Sequence, residues 1–237
     1  MRKIFLKLML KQKQKAIEDV GFTSGNFIKA AIAKDPSTTK GFYVLDYDGA
    51  EVNLEPTTGK VLYLRDKKNH TNVTKKVKTQ DQAKEFAQSL YNDLQNKLNL
   101  TSGYKLAYID SNLSDDFVLA SFQKEAISGV ISQFEQVKIG FDTEGKLESV
   151  KEFYTPVQST DEVVTKDQAI AIATNNPDTF HKMTNPNPED AKLEVVRPNY
   201  FKYTDLEDKA VLAWEFMKLD EFYGLTHKLV AFWVVTN

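Results

Sequence analysis

The sequence predicts an α+β protein of tandem modules, each a helix packed on an antiparallel sheet. Two observations carry that expectation. Short stretches recur at one fixed spacing, and within each copy the apolar pattern passes from helical period to strict alternation. The composition permits it: with 41% apolar and 27% charged residues in 237, the chain has a globular balance, not that of a disordered one.

The recurrence is specific. Thr57-Thr58-Gly59-Lys60-Val61 returns 86 residues later as Thr143-Glu144-Gly145-Lys146-Leu147. At the same spacing Val77-Lys78-Thr79-Gln80-Asp81-Gln82-Ala83 returns as Val163-Val164-Thr165-Lys166-Asp167-Gln168-Ala169, and Ala87 matches Ala173. A weaker echo at spacing 78 relates Thr23-Ser24-Gly25 to Thr101-Ser102-Gly103. Three modules follow, over 1–76, 77–160 and 161–237.

The first module opens on residues 2–20. Phe5, Leu8, Met9, Ala16 and Val20 fall on one helical stripe. A degraded export signal is the alternative for this basic start, but Lys7 breaks its apolar run, and the run is far too short to span a membrane. Thr23-Ser24-Gly25 then turns helix into strand. Residues 26–34 have helical propensity, yet the repeat register places them on a strand, and the register is preferred. Asp46-Tyr47-Asp48-Gly49 shares features with a calcium loop, but Val44 would stand at the first ligand position, so a hairpin turn is expected. Val52 and Leu54 alternate, Pro56-Thr57-Thr58-Gly59 turns, and Val61–Leu64 returns. The run Lys67, Lys68, Lys75, Lys76, Lys78 reads as a solvated linker, with contact to an anionic surface as the alternative.

The second module begins with a capping box, in which Thr79 caps the helix and Gln82 reaches back. Ala83, Phe86, Ala87, Leu90, Leu94 and Leu98 then predict an amphipathic helix over 80–98. Strands are expected at 104–110, 117–123, 131–141 and 146–154. Thr165 and Gln168 form the capping box of the third module, and Asn175-Asn176-Pro177 stops that helix early. Strands at 191–197, 210–219 and 227–236 complete the third module, which is expected to lack its last strand.

Chemistry is harder to find. A net charge of −2 and only three arginines (Arg2, Arg65, Arg197) argue against nucleic acid. The absence of cysteine excludes disulfides, thiolate metal sites and Cys nucleophiles. His70, His181 and His227 have no metal-ligand spacing, and neither a nucleophile elbow nor a phosphate loop occurs. The carboxylates Asp115-Asp116, Asp205/Glu207/Asp208 and Asp220-Glu221 are expected in solvated loops between strands. No catalytic residue, metal or cofactor is therefore assigned. The aromatic stretch Arg197-Pro198-Asn199-Tyr200-Phe201-Lys202-Tyr203 is the candidate binding loop, with Tyr200, Phe201 and Tyr203 as its contacts. Strands 210–219 and 227–236 are apolar on both faces, so another module, a second chain or a ligand should cover the second face.

The stretches Ala50-Glu51-Val52-Asn53-Leu54-Glu55-Pro56-Thr57-Thr58-Gly59-Lys60-Val61-Leu62 and Gly140-Phe141-Asp142-Thr143-Glu144-Gly145-Lys146, with the Thr-Lys-Asp-Gln-Ala helix start, carry a family resemblance. They resemble the PepSY-type module, and the tandem arrangement resembles the YcdB/YcdC-type repeats of Gram-positive surface proteins. The resemblance implies a cystatin-like fold, an extracellular or cell-surface location, and a non-enzymatic role binding or inhibiting a peptidase or other protein. The expected function is thus an accessory protein with a protein or peptide partner. The alternatives are a small-ligand-binding protein or hydrolase with a pocket between helix and sheet, and a structural spacer.

Overall fold

The structure, a computed structural model, describes residues 14–34, 41–68, 76–112, 116–155, 157, 164–175, 192–196, 210–222 and 226–235. It is α+β and dominated by sheet. The chain divides into two compact units, Met1–Lys124 with Glu135–Tyr154, and Glu125–Phe134 with Thr155–Asn237.

The first unit holds helix α1 over 14–19, strands β1 (Phe27–Lys34), β2 (Gly41–Tyr47), β3 (Ala50–Leu54) and β4 (Val61–Asp66), and helix α2 (Gln80–Leu98). Strands β5 (Lys105–Asn112), β6 (Phe117–Ile127), β7 (Val130–Asp142) and β8 (Leu147–Tyr154) follow. The eight strands make one sheet in the order β1-β2-β3-β4-β8-β7-β6-β5. It is therefore two four-stranded meanders joined through their last strands, with Tyr63 opposite Lys151, Leu64 opposite Val150 and Arg65 opposite Ser149.

Helix α2 forms where the capping box places it. The Thr79 hydroxyl accepts from the Gln82 amide at 3.3 Å, and Gln82 accepts from the Lys78 amide at 2.8 Å. Asp81 lies in the first turn and Lys97 in the last, each complementing the helix dipole, and Asn99 ends the helix in the left-handed region. The stripe Ala83, Ala87, Tyr91, Leu94 and Leu98 is buried. Tyr91 stacks on Phe122 with centroids 4.3 Å apart, and Phe86 meets Phe141 at 5.3 Å. Leu45, Val52, Leu54, Leu64, Ile139 and Val150 complete this core from the sheet. Each large apolar side chain removed from water contributes roughly 1.5–3 kcal/mol, which fixes the strand register because a one-residue slip would turn the set outward.

The two hairpins that close the meanders share a construction. Each strand shifts register just before its turn, at Asn53/Leu54 and at Gly140/Phe141. Each turn is closed over a carboxylate: Glu55 accepts from the Thr57 and Thr58 amides, and Asp142 accepts from the Lys146 amide at 2.8 Å. Gly145 has φ +84, and a Cβ there would come within 2.5 Å of the Phe86 ring. The turn thus needs glycine for its backbone and for the helix that lies on it.

Residues 27–34 are a strand, as the repeat register requires. Seven residues of β1 pair antiparallel with β2, and that pairing overrides local helical propensity. The expected hairpin at Asp48-Gly49 joins β2 to β3, and Asp48 also accepts from the Asn26 amide at 2.7 Å and its side-chain amide at 3.0 Å. The expectation of a solvated linker at the lysine run needs correction at its two ends. Lys67 bonds the Asp46 carboxylate and donates to the Tyr47 carbonyl at 2.6 Å. Val77 is buried, and its amide and that of Lys76 both reach the Thr143 carbonyl at 2.8 Å.

The second unit holds α3 (Lys166–Asn175), β9 (Lys192–Val196), β10 (Val211–Phe222) and β11 (Thr226–Val235), with the sheet order β11-β10-β9. Thr165 and Gln168 cap α3 reciprocally at 3.3 and 2.9 Å. Ala169 and Ala173 are buried, and Trp214 donates its indole N–H to the Val164 carbonyl at 2.6 Å. A second cluster gathers Val195, Ala210 and Leu212 with Ile127, Phe134 and Leu193. Strand β10 continues to Phe222, so Asp220 and Glu221 lie within a strand and not in the expected loop. The second-face covering expected for 210–219 and 227–236 concerns side chains that mostly lie outside the described residues.

Candidate functional site: an open cleft where the two meanders meet

Alternation along the joined strands sorts their side chains. Leu64 and Val150 point to the α2 side and are buried. Arg65 and Ser149, one residue on and one back, are paired on the opposite face. Gly140 stands beside Ser149 on that face, and a Cβ there would come 2.6 Å from the Ser149 hydroxyl and 3.5 Å from the Phe117 ring. The glycine thus lets Phe117 lie close across β7, and Phe117 remains 40% exposed.

This arrangement opens a cleft of about 450 Å³ lined by Tyr63, Arg65, Asp66, Lys67, Lys68, Phe117, Glu148 and Ser149. Its charges are not equally available. Lys67 is held by Asp46, and that bond keeps the Asp46 carboxyl below its ordinary range. Asp66 accepts from the Lys68 amide at 2.9 Å, which turns the chain as β4 ends. Burial raises the Tyr63 hydroxyl above its ordinary range, and the Arg65 charge beside it draws it back. Arg65 and Lys68 are exposed at the cleft. Arg65, Lys67 and Lys68, the carboxylates Asp66 and Glu148, the Ser149 hydroxyl and two aromatic rings line one opening, with Arg65 hydrogen-bonded to Tyr63. Such a site can hold a carboxylate by bidentate hydrogen bonding with an apolar group beside it.

On the α2 side the polar groups are enclosed. Glu152 is fully buried at its side chain and accepts from Lys60 Nζ at 2.7 Å, from the Thr101 hydroxyl at 2.5 Å and from the Thr101 amide at 3.2 Å. Tyr91 donates to the Thr101 carbonyl at 3.1 Å. Burial and then the Glu152 charge push the Tyr104 hydroxyl far above its ordinary range. A pocket between helix and sheet was the alternative expectation; at this place the space is filled by the apolar core and the Glu152 network. In the second unit, Glu215 is raised above its ordinary range by burial and then by Glu194, with Lys192 opposing. The register explains it: Glu215 lies opposite Lys192 and Glu194 opposite Ala213, so the two carboxylates are diagonal neighbours on one face.

Of the residues singled out by sequence, Tyr200, Phe201 and Tyr203 lie outside the described residues, as do His70, His181, Asp115, Asp205, Glu207 and Asp208. His227 lies on β11, and its side chain is not among those described. Asp116 accepts from the Thr143 hydroxyl at 2.6 Å. Sequence reasoning missed the cleft because its lining comes from three separate strands. The available signal was Arg65, one of three arginines, set in an otherwise lysine-rich chain. No helix among the described residues is long and apolar enough to cross a membrane.

No family profile and no curated protein sequence matches the chain. Among solved structures, the C-terminal domain of YpeB from Bacillus megaterium is similar over 94% of this chain and 96% of its own, with 15% identity and a TM-score of 0.45. An uncharacterized protein from Eubacterium rectale is similar over 95% and 77%, with 8% identity and a TM-score of 0.38. At these identities and scores neither likeness bears on function.

Proposed function

We propose that the chain is a non-enzymatic binding protein whose cleft at the β4–β8 junction receives a carboxylate-bearing segment of a protein or peptide. The observation that carries this reading is the convergence of Arg65, Lys68 and Ser149 beside Tyr63 and Phe117 in an opening of about 450 Å³. Carboxylates elsewhere in the first unit, at Asp46, Asp48, Glu55, Asp142 and Glu152, accept hydrogen bonds that close turns or tie strands. We further propose that the PepSY-like tandem organisation over 1–76, 77–160 and 161–237 is the unit of construction, since each described helix precedes its own run of strands. On the family resemblance, the place of action proposed is the cell surface or outside the cell. A second contact at Tyr200, Phe201 and Tyr203 is proposed on the sequence alone.

Panning a random peptide library with free C-termini against the immobilised chain tests the cleft. Selected peptides should carry a carboxylate next to an apolar residue. The Arg65→Glu/Lys68→Glu variant should bind them at least about tenfold more weakly with an unchanged melting temperature. Failure to select peptides, or equal binding by the double variant, refutes the cleft. Deleting 198–204 tests the second contact in the same assay.

A further inference from the structure

Lys138 and Lys151 lie directly opposite each other where β7 pairs with β8. Like charges so placed destabilise a sheet unless an acid offsets them. Both side chains take the face turned away from α2, since their sequence neighbours Val137, Ile139, Val150 and Glu152 are buried on the α2 side. Lys151 also lies opposite Tyr63 of β4, with Arg65 diagonal to it, and its alternate neighbours on β8 are Ser149 and Phe153. The alternate neighbours of Lys138 on β7 are Gln136 and Gly140, and Ser121 and Gln123 of β6 bond Gln136. None of these groups is acidic. Instead, both ammoniums lie over the Phe153 ring, 5.9 Å from its centroid for Lys138 and 4.3 Å for Lys151. The nearby carboxylates, Glu51 opposite Arg65 and Asp66 and Glu148 at the cleft, stand on the Arg65 side.

We propose that the Lys138–Lys151 pair is a second anion subsite, which takes the next carboxylate of an extended acidic peptide held at Arg65. The inference rests on the cleft reading above and adds the sequence class of the partner: acid, any residue, acid. Ser149, beside Arg65, and Lys151 are two residues apart on β8, about 6.6 Å. Alternate side chains of an extended peptide lying along the strands recur at that same distance, so acids at i and i+2 meet the two subsites in turn. Discrete carboxylates also suit the charge pattern better than a continuous polyanion, because Glu51, Asp66 and Glu148 repel a phosphate backbone or a layer of anionic headgroups. A carboxylate between the two lysines removes the repulsion that the free sheet carries.

Fluorescence anisotropy with three peptide pools tests this, each with uncharged random residues around a fixed frame of Glu-x-Glu, Glu-Glu or a single Glu. The chain should bind the Glu-x-Glu pool at least about fivefold more tightly than the other two. Lys138→Gln/Lys151→Gln should erase that preference and leave the single-Glu pool unchanged, whereas Lys138→Arg/Lys151→Arg should keep it. Equal binding of the Glu-Glu or single-Glu pool, or a preference that survives the Gln variant, overturns the subsite and leaves the cleft reading standing. No binding by any pool refutes the cleft together with it. Tighter binding of an oligothymidylate or of phosphatidylserine vesicles, lost in the Gln variant, overturns the peptide as occupant.

Discussion

Lys60 Nζ lies 2.7 Å from Glu152 Oε1, joining the closing turn of the first meander to the last strand of the second. Lys60 and Lys146 each follow a turn glycine, Gly59 and Gly145. Their partners differ: Lys146 pairs locally with Glu144, whereas Lys60 reaches Glu152, 92 positions along the chain. Lys60 thus ties strands of different meanders. Lys60→Met should cost roughly 3 kcal/mol, because it leaves the buried Glu152 carboxylate without its cation. Lys60→Met/Glu152→Leu should recover most of that loss. Urea denaturation of the two variants checks both, and a double variant no more stable than the single would show that the pair contributes more than charge neutralisation.

The Glu55 turn should make stability depend on acid. Hydrogen bonds from Thr58 and then Thr57 hold the Glu55 carboxyl at about 2. Its folded value is below its unfolded one, so the contribution is present above about pH 4.3 and fades as pH falls toward 2. Glu55→Gln should therefore lose on the order of 1 kcal/mol at pH 7, a figure kept small by exposure to water, and nearly nothing at pH 2. Thermal melts across that range read the difference.

Glu215 predicts the opposite sign. Burial and Glu194 raise its carboxyl, so its folded value exceeds the unfolded one. The protonated form is favoured in the fold; that contribution is complete below the unfolded value and is lost as pH rises. Glu215→Gln should stabilise the second unit at pH 7 and change little at pH 4. Amide exchange of β9 and β10 in the two proteins provides the measurement.

Gly145→Ala should be far worse than Gly103→Ala. Both glycines have positive φ, +84 and +86, but a Cβ at Gly103 meets nothing within 4 Å while one at Gly145 strikes Phe86. The backbone cost alone is about 1–2 kcal/mol, and displacing the ring adds about 1–3 kcal/mol. Paired denaturation curves of the two variants should separate by at least the second amount.

Features set by near neighbours along the chain were legible in the residues alone. Thr79 with Gln82 and Thr165 with Gln168 specify helix starts, because cap, amide and reach-back side chain lie within four residues. Asp48-Gly49 and the turns at Gly59 and Gly145 specify hairpins for the same local reason. Residues 27–34 already required more than local preference, since their pairing with β2 decided strand over helix. That β4 lies beside β8 emerges in the folded sheet, because nothing in either strand's alternation names its neighbour. That single adjacency brings Arg65 to Ser149, opens the cleft beside Phe117, and lets Lys60 reach Glu152. Alternation sets which face a side chain takes, whereas the partner across the sheet depends on how the whole apolar surface is buried at once.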